Sequence, residues 1–169
     1  MTGNNPVDRS KLGTKRHILT DKKGIPLSAV ITSASTHDVK LVTNVIDNTL
    51  IRKPTSLYIS KERKRKQQQQ QHLCLDRAYN SKSTEQEIIK RGYVPHIPYK
   101  RKRGEKKAEK DKAFQKRYSA RRRWVVERTN SWHNRFRKLF TRYEKKAENY
   151  LGLVQLSCCI IIYRKIILG

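Results

Sequence analysis

Two carboxylates stand where their surroundings give an acid chemistry to do. Asp76 closes the short apolar run His72–Asp76 (HLCLD), and Glu127 lies on the otherwise basic polar stripe of Arg121–Lys146 (RRRWVVERTNSWHNRFRKLFTRYEKK). An acid that ends a buried strand emerges at the strand's C-terminal edge, where sites form in α/β sheets. An acid on the polar face of a long helix points at whatever that helix presents. Brought together, the two are hard oxygen ligands of the kind Mg²⁺ or Mn²⁺ takes. Two such ions about 3.5–4 Å apart stabilise the attacking and leaving oxygens of a phosphodiester. The plain alternative is that Asp76 caps a turn while Glu127 pairs with Arg123 or Arg128 on its own helix.

Charge decides which reading to follow. Forty Lys and Arg against fourteen Asp and Glu give a formal net charge of +26, too large an excess to serve solubility alone. The implied partner is a polyanion, and nucleic acid fits better than a membrane because the basic residues run through the whole chain. In such a chain, acids meeting in a phosphate-binding groove weaken nucleic-acid affinity unless a cation lies between them. The clusters Lys100, Arg101, Lys102, Arg103 and Arg121, Arg122, Arg123 read as phosphate contacts. His17, His37, His72, His96 and His133 have no metal-motif spacing and read as polar surface or core. Cys74, Cys158 and Cys159 lie in apolar runs and read as buried thiols of a reducing cytosol. The polar start after Met1 predicts no signal peptide. The apolar run Tyr150–Tyr163 is shorter than the roughly 20 residues of a membrane span, so it predicts a terminal core helix.

These acids need elements to hold them. Residues 1–14 predict an extended lead-in with nothing packed. Lys15–Thr20 and Leu27–Ala34 are strand-like, and Asp21–Gly24 between them supplies hairpin turn chemistry. Ser35 or Thr36 then caps a helix over His37–Ile51, stopped by Pro54. Residues 61–71 and 99–120 read as basic flexible loops, the most basic stretch running on to Arg123. His72–Asp76 predicts a buried strand, and Ser81 or Ser83 starts a helix through Arg91 with Ile88 and Ile89 inward and Gly92 as its stop. Tyr93–Ile97 predicts a strand that Pro95 confines to a sheet edge. Arg121–Lys146 predicts one amphipathic helix whose core face carries Trp124, Val125, Trp132, Phe136, Leu139 and Phe140, with Arg123, Glu127, Asn130 and Asn134 on another side. A last helix spans Glu148–Leu168. The order predicts one domain, an α/β fold with a mixed sheet.

The runs NPVDRSKLGTKRHILTDKKGIPL, ASTHD, HLCLDRAYNS, GYVPHIP and RRWVVERTNSWHNRFRKLFTRYEKKAENYLGLVQLSC, in that order, resemble the catalytic domain of DDE-type insertion-sequence transposases. The resemblance runs from Asn5 to Gly169. It implies a ribonuclease-H-like mixed sheet flanked by helices, with three carboxylates binding two Mg²⁺ or Mn²⁺ ions for DNA cleavage and strand transfer. By motif, Asp76 is the second acid and Glu127 the third, while Arg123 matches the arginine of the tyrosine, arginine, glutamate, lysine signature. Ala120 replaces that signature's tyrosine and Asn134 its lysine, leaving Arg135 or Arg137 for the phosphates. The family's first aspartate lies on a strand upstream of the hairpin, which this sequence lacks; Asp8 and Asp38 match other positions. The expectation is the C-terminal part of a transposase catalytic domain, with the first strand missing. It binds element ends and target DNA in a prokaryotic cytoplasm at the nucleoid, and is inactive alone. Its further partners are a second copy or a separate N-terminal part. A non-catalytic basic nucleic-acid-binding protein is the alternative; it explains the charge but not the two acids.

Overall fold

Asp21 turns the first sheet. Its Oδ1 accepts from the backbone N–H groups of Lys23 and Ile25, both at 2.8 Å, and Gly24 beside them takes a φ of +83°. The predicted hairpin therefore forms. In this computed structural model, which describes residues 2–5, 9–49, 71–98 and 124–168, the chain makes two units, Met1–Leu50 with Ala120–Gly169, and Ile51–Ser119.

The first unit has a three-stranded antiparallel sheet of β1 (Gly3–Asn4), β2 (Leu12–Thr20) and β3 (Pro26–Ser33), in that order. The lead-in is therefore more than extended chain. Gly3 and Asn4 pair with Gly13 and Leu12, and Arg9 and Ser10 turn the chain at positive φ. After β3 the predicted long helix resolves into a 3-10 turn, Asp38–Leu41, and α1 (Val42–Asp47). Neither Ser35 nor Thr36 caps it. Lys15 draws this entry to β2 by donating to Thr36 O at 3.1 Å and Asp38 Oδ1 at 3.0 Å. Asn48 ends the helix early because its side-chain amide donates to Asn44 O at 2.8 Å. Leu50, Ile51 and Pro54 lie outside the described residues.

The expected single helix over Arg121–Lys146 is broken.

In that second unit β4 (Gln71–Cys74) pairs in parallel with β5 (Tyr93–His96), and α2 (Lys82–Lys90) connects them. Ser81 is the N-cap, its Oγ accepting from Thr84 N at 3.1 Å, and Gly92 ends the turn with a φ of +72°. Ile88 is fully buried, but Ile89 is 59% exposed, because the helix face turned to β5 is only wide enough for the Thr84 and Ile88 row. Only Leu73 of β4 is buried. Cys74 and Cys159 are exposed, which corrects the reading of three buried thiols, since alternate β4 residues and a second face of the last helix point outward. Of residues 61–71 only Gln71 is described, and 99–120 lie wholly outside the described residues.

The helix α3 (Trp124–Asn134) stops where Phe136 adopts extended backbone, and α4 (Arg137–Phe140) follows as a single turn. Beyond it Arg142 holds the Glu144 and Lys145 carbonyls at 2.8 and 3.2 Å, bending the chain where a helix to Lys146 was expected. The expected core face is therefore only partly core: Leu139 is buried in it and Phe136 packs against it. Trp124 is 52% and Phe140 71% exposed, while Thr129 and His133 are the fully buried residues of α3. The last helix, α5 (Ala147–Ile162), continues as a π-helical segment, Tyr163–Ile167. Tyr150 and Val154 pack with Ile31 of β3 and Leu139 of α4 in the main core. The whole helical span, Ala147–Ile167, extends the expected run to 21 residues, long and apolar enough by length and composition alone to cross a membrane, while Tyr150 and Val154 take the core place expected of it. Leu156, Ile167 and Leu168 are exposed because they lie off the face turned to β3 or past the core's end.

His133 joins α3 to α5. Ser157 donates its hydroxyl hydrogen to Val154 O at 2.7 Å, so the imidazole donates from Nδ1 to Ser157 Oγ, also at 2.7 Å. Nε2 then accepts from the Cys158 thiol at 3.8 Å. Burial first, and the positive charge of Arg16 second, push His133 down to about 4, and burial pushes Cys158 up to about 11. The folded chain thus keeps the ring neutral while the unfolded chain takes up a proton near pH 6.5. The stability from this linkage is whole above that value and is lost as pH falls toward 4, by about 3 kcal/mol. Melting temperatures followed from pH 7 to pH 4 are expected to fall more steeply in the wild type than in His133→Gln; parallel curves would contradict the buried neutral ring.

Candidate active site

Asp76 follows β4 in the second unit. Leu73 anchors the strand, and His72 Nδ1 and His96 Nε2, 2.6 Å apart with stacked rings, tie it to β5 on the outer face. Asp76 itself is exposed, with extended backbone (φ −76°, ψ 163°), and its Oδ1 accepts from Arg77 N at 2.7 Å. It caps the 3-10 turn Arg77–Tyr79, as the plain alternative predicted. Such a bond orients the carboxylate and leaves it lone pairs for a further ligand.

Glu127 stands in the first turn of α3, in the first unit, and is exposed. The alternative pairing with Arg128 does not form. The Arg128 guanidinium lies over the rings of Trp124 and Trp132, at 4.6 and 5.2 Å, and donates through Nη2 to Lys23 O at 2.5 Å. Adjacent residues on a helix point about 100° apart, so an arginine turned to the hairpin leaves its neighbour facing out. Arg123, the other expected partner, lies outside the described residues, as do Lys100, Arg101, Lys102, Arg103, Arg121 and Arg122. Arg135 and Arg137 are described, and both are exposed.

The residues that position Glu127 come from the hairpin turn. Thr129, fully buried, donates through Oγ1 to Gly24 O at 2.6 Å and Arg128 reaches the adjacent Lys23 carbonyl, so α3 is pinned where Asp21 bends the chain. Gly24 is required there twice over. Its φ is positive, and an added Cβ would lie 2.9 Å from Thr129 Oγ1 and 3.1 Å from Arg128 Nη2. At the other end of α3, Arg16 of β2 donates from Nη2 to Asn134 Oδ1 at 2.7 Å. A cation therefore meets the position where the signature carries lysine, although it comes from a strand 118 residues away. Sequence spacing signals Gly24 as a turn residue but gives no sign of Arg16, Arg128 or Thr129, whose contacts depend on how the helix meets the hairpin.

As a donor set, Asp76 and Glu127 offer exposed carboxylate oxygens, which suit a hard divalent cation. Among the described residues, no group of three or more His, Cys, Asp or Glu side chains converges to hold a metal. Each acid is described within its own unit. Thr129→Val should lower stability by about 1–2 kcal/mol by leaving the buried Gly24 carbonyl unmet, and Gly24→Ala by about 1–3 kcal/mol through its strained φ and the displaced clamp. Urea unfolding measures both; a loss for neither variant would mean that the turn does not hold α3.

The profile of the family described as Transposase DDE domain matches residues 2–162. A transposase for insertion sequence element IS402 from Burkholderia cepacia is 34% identical over 162 residues, which cover 96% of this chain and 68% of the relative. No solved structure matches. The chain therefore belongs to the DDE-type insertion-sequence transposases, and its role is in DNA transposition.

Proposed function

We propose that this chain folds as a ribonuclease-H-like catalytic domain in which Asp76 and Glu127 are the second and third of three metal-binding carboxylates. The observation that carries the reading is the state of these two acids. Each is exposed at a fixed place on a regular element, Asp76 oriented by its own turn and Glu127 left unpaired among the described residues by the engagement of Arg128 elsewhere. Together with a third carboxylate, as the family resemblance implies, they would hold Mg²⁺ or Mn²⁺. When bound, such ions supply Lewis-acid stabilisation to the attacking and leaving oxygens of a phosphodiester.

The protein's own residues bind and orient the DNA. Arg135 and Arg137 project from the end of α3 and the start of α4 as exposed cations, and Lys100–Arg103 and Arg121–Arg123 add the density of charge that a phosphate backbone matches. Asp76 and Glu127 offset part of that charge unless a cation lies between them, which makes their placement in a +26 chain costly to affinity without metal. The reaction belongs to the cytoplasm of a prokaryotic host, on element ends and target DNA, with a second copy of the chain or an N-terminal part as partner.

Two measurements test this. DNA binding should weaken steeply with salt, and Arg135→Ala or Arg137→Ala should each flatten the log–log slope by about 0.9; a flat response in the wild type would contradict the phosphate reading. The isolated 169-residue chain should show no Mg²⁺-dependent cleavage of element-end DNA. Efficient cleavage that disappears in Asp76→Ala or Glu127→Ala would show that two carboxylates suffice.

A further inference from the structure

Two large aromatic side chains stand in the open beside α4, and neither is spent on the core. Phe140 is 71% and Tyr143 77% exposed, and both line one cleft of about 430 Å³ with Asn134, Arg137, Lys138 and Thr141. That volume falls in the range of roughly 300–1,000 Å³ typical of small-molecule sites. The break at Phe136 creates the arrangement. Had α3 run on, Phe140 would share a face with Phe136; the extended residue turns it outward, and the bend that Arg142 holds does the same for Tyr143.

The tryptophans of α3 are already engaged by cations, Arg128 lying over both rings and Lys165 5.1 Å from Trp132. The cleft differs in composition as well. Arg137 and Lys138 put two cations on its wall, and Asn134 and Thr141 add polar groups, so flat apolar faces and phosphate-binding charge share one opening. A paired base keeps its face stacked within the duplex and cannot use an aromatic wall. An unpaired base can, and its flanking phosphates then meet the cations.

We infer that the Phe140–Tyr143 cleft is a stacking site for an unpaired base of single-stranded DNA, with Arg137 and Lys138 on the adjoining phosphates. The inference rests on the DNA-binding reading above and narrows it to a strand form. Such a site holds a frayed or displaced strand, the form in which DNA ends lie once a duplex is opened or cut.

Equilibrium binding of single-stranded and duplex oligonucleotides of one sequence tests it, using the wild-type chain, Tyr143→Trp and the double variant Phe140→Leu/Tyr143→Leu. Leucine keeps the charge and an apolar side chain at exposed positions, and a circular dichroism melt verifies the fold. The double variant should lose about tenfold or more of its single-strand affinity, the scale of a lost base–aromatic stack, with duplex affinity and salt slope unchanged. Tyr143→Trp should keep the single-strand affinity, and its indole fluorescence should be quenched by the single strand alone. Unchanged single-strand binding in the double variant, or an equal loss on both forms, would overturn the stacking site. Wild-type protein that binds neither form would overturn the DNA-binding reading and this site with it.

Discussion

The contact between α3 and the Asp21–Gly24 turn is the constraint on which the first unit depends. A hairpin turn exposes carbonyls that its own ladder cannot satisfy, and a helix approaching one must bring donors or bury unmet acceptors. Thr129 and Arg128 bring them to Gly24 and Lys23. One consequence is steric: the close approach admits only glycine at position 24. The other is chemical, because the arginine next to Glu127 is committed to the turn and the aromatic rings instead of the carboxylate. The same packing sets His133 against Ser157 and Cys158 of α5, so one helix is held by a polar contact at each of two levels.

Much of the fold is legible from local chemistry. The hairpin follows from Asp21 and Gly24, the start of α2 from Ser81, its end from Gly92, and the edge character of β5 from Pro95, since each residue acts within a few positions of itself. What is not legible is where one element meets another. The spacing of Trp124, Trp132, Phe136 and Phe140 describes a common face only on an unbroken helix, and nothing in that spacing marks Phe136 as the break. Polar Thr129 and His133 became the buried row because their partners lie across the unit, on the hairpin and on α5.

The site divides in the same way. Asp76 and Glu127 are visible as acids in unusual company, and the resemblance assigns their order, but the carbonyls that hold Glu127's neighbours Arg128 and Thr129 lie 105 residues before them, at the turn. Arg16 is harder still to foresee, because it reaches the far end of α3 from a strand whose alternation marks it only as polar. The plain reading of Asp76 as a turn cap and its reading as a ligand are compatible, since a carboxylate that accepts from Arg77 N can also coordinate a cation.

In the proposed function Asp76 and Glu127 would serve one cation site. Paramagnetic broadening of backbone amide signals by Mn²⁺ tests it without requiring turnover. The amides around Asp76 and Glu127 should broaden together over the same Mn²⁺ range, and Asp76→Asn should weaken the effect at both. Broadening at Glu127 that is indifferent to Asp76→Asn would contradict a shared site.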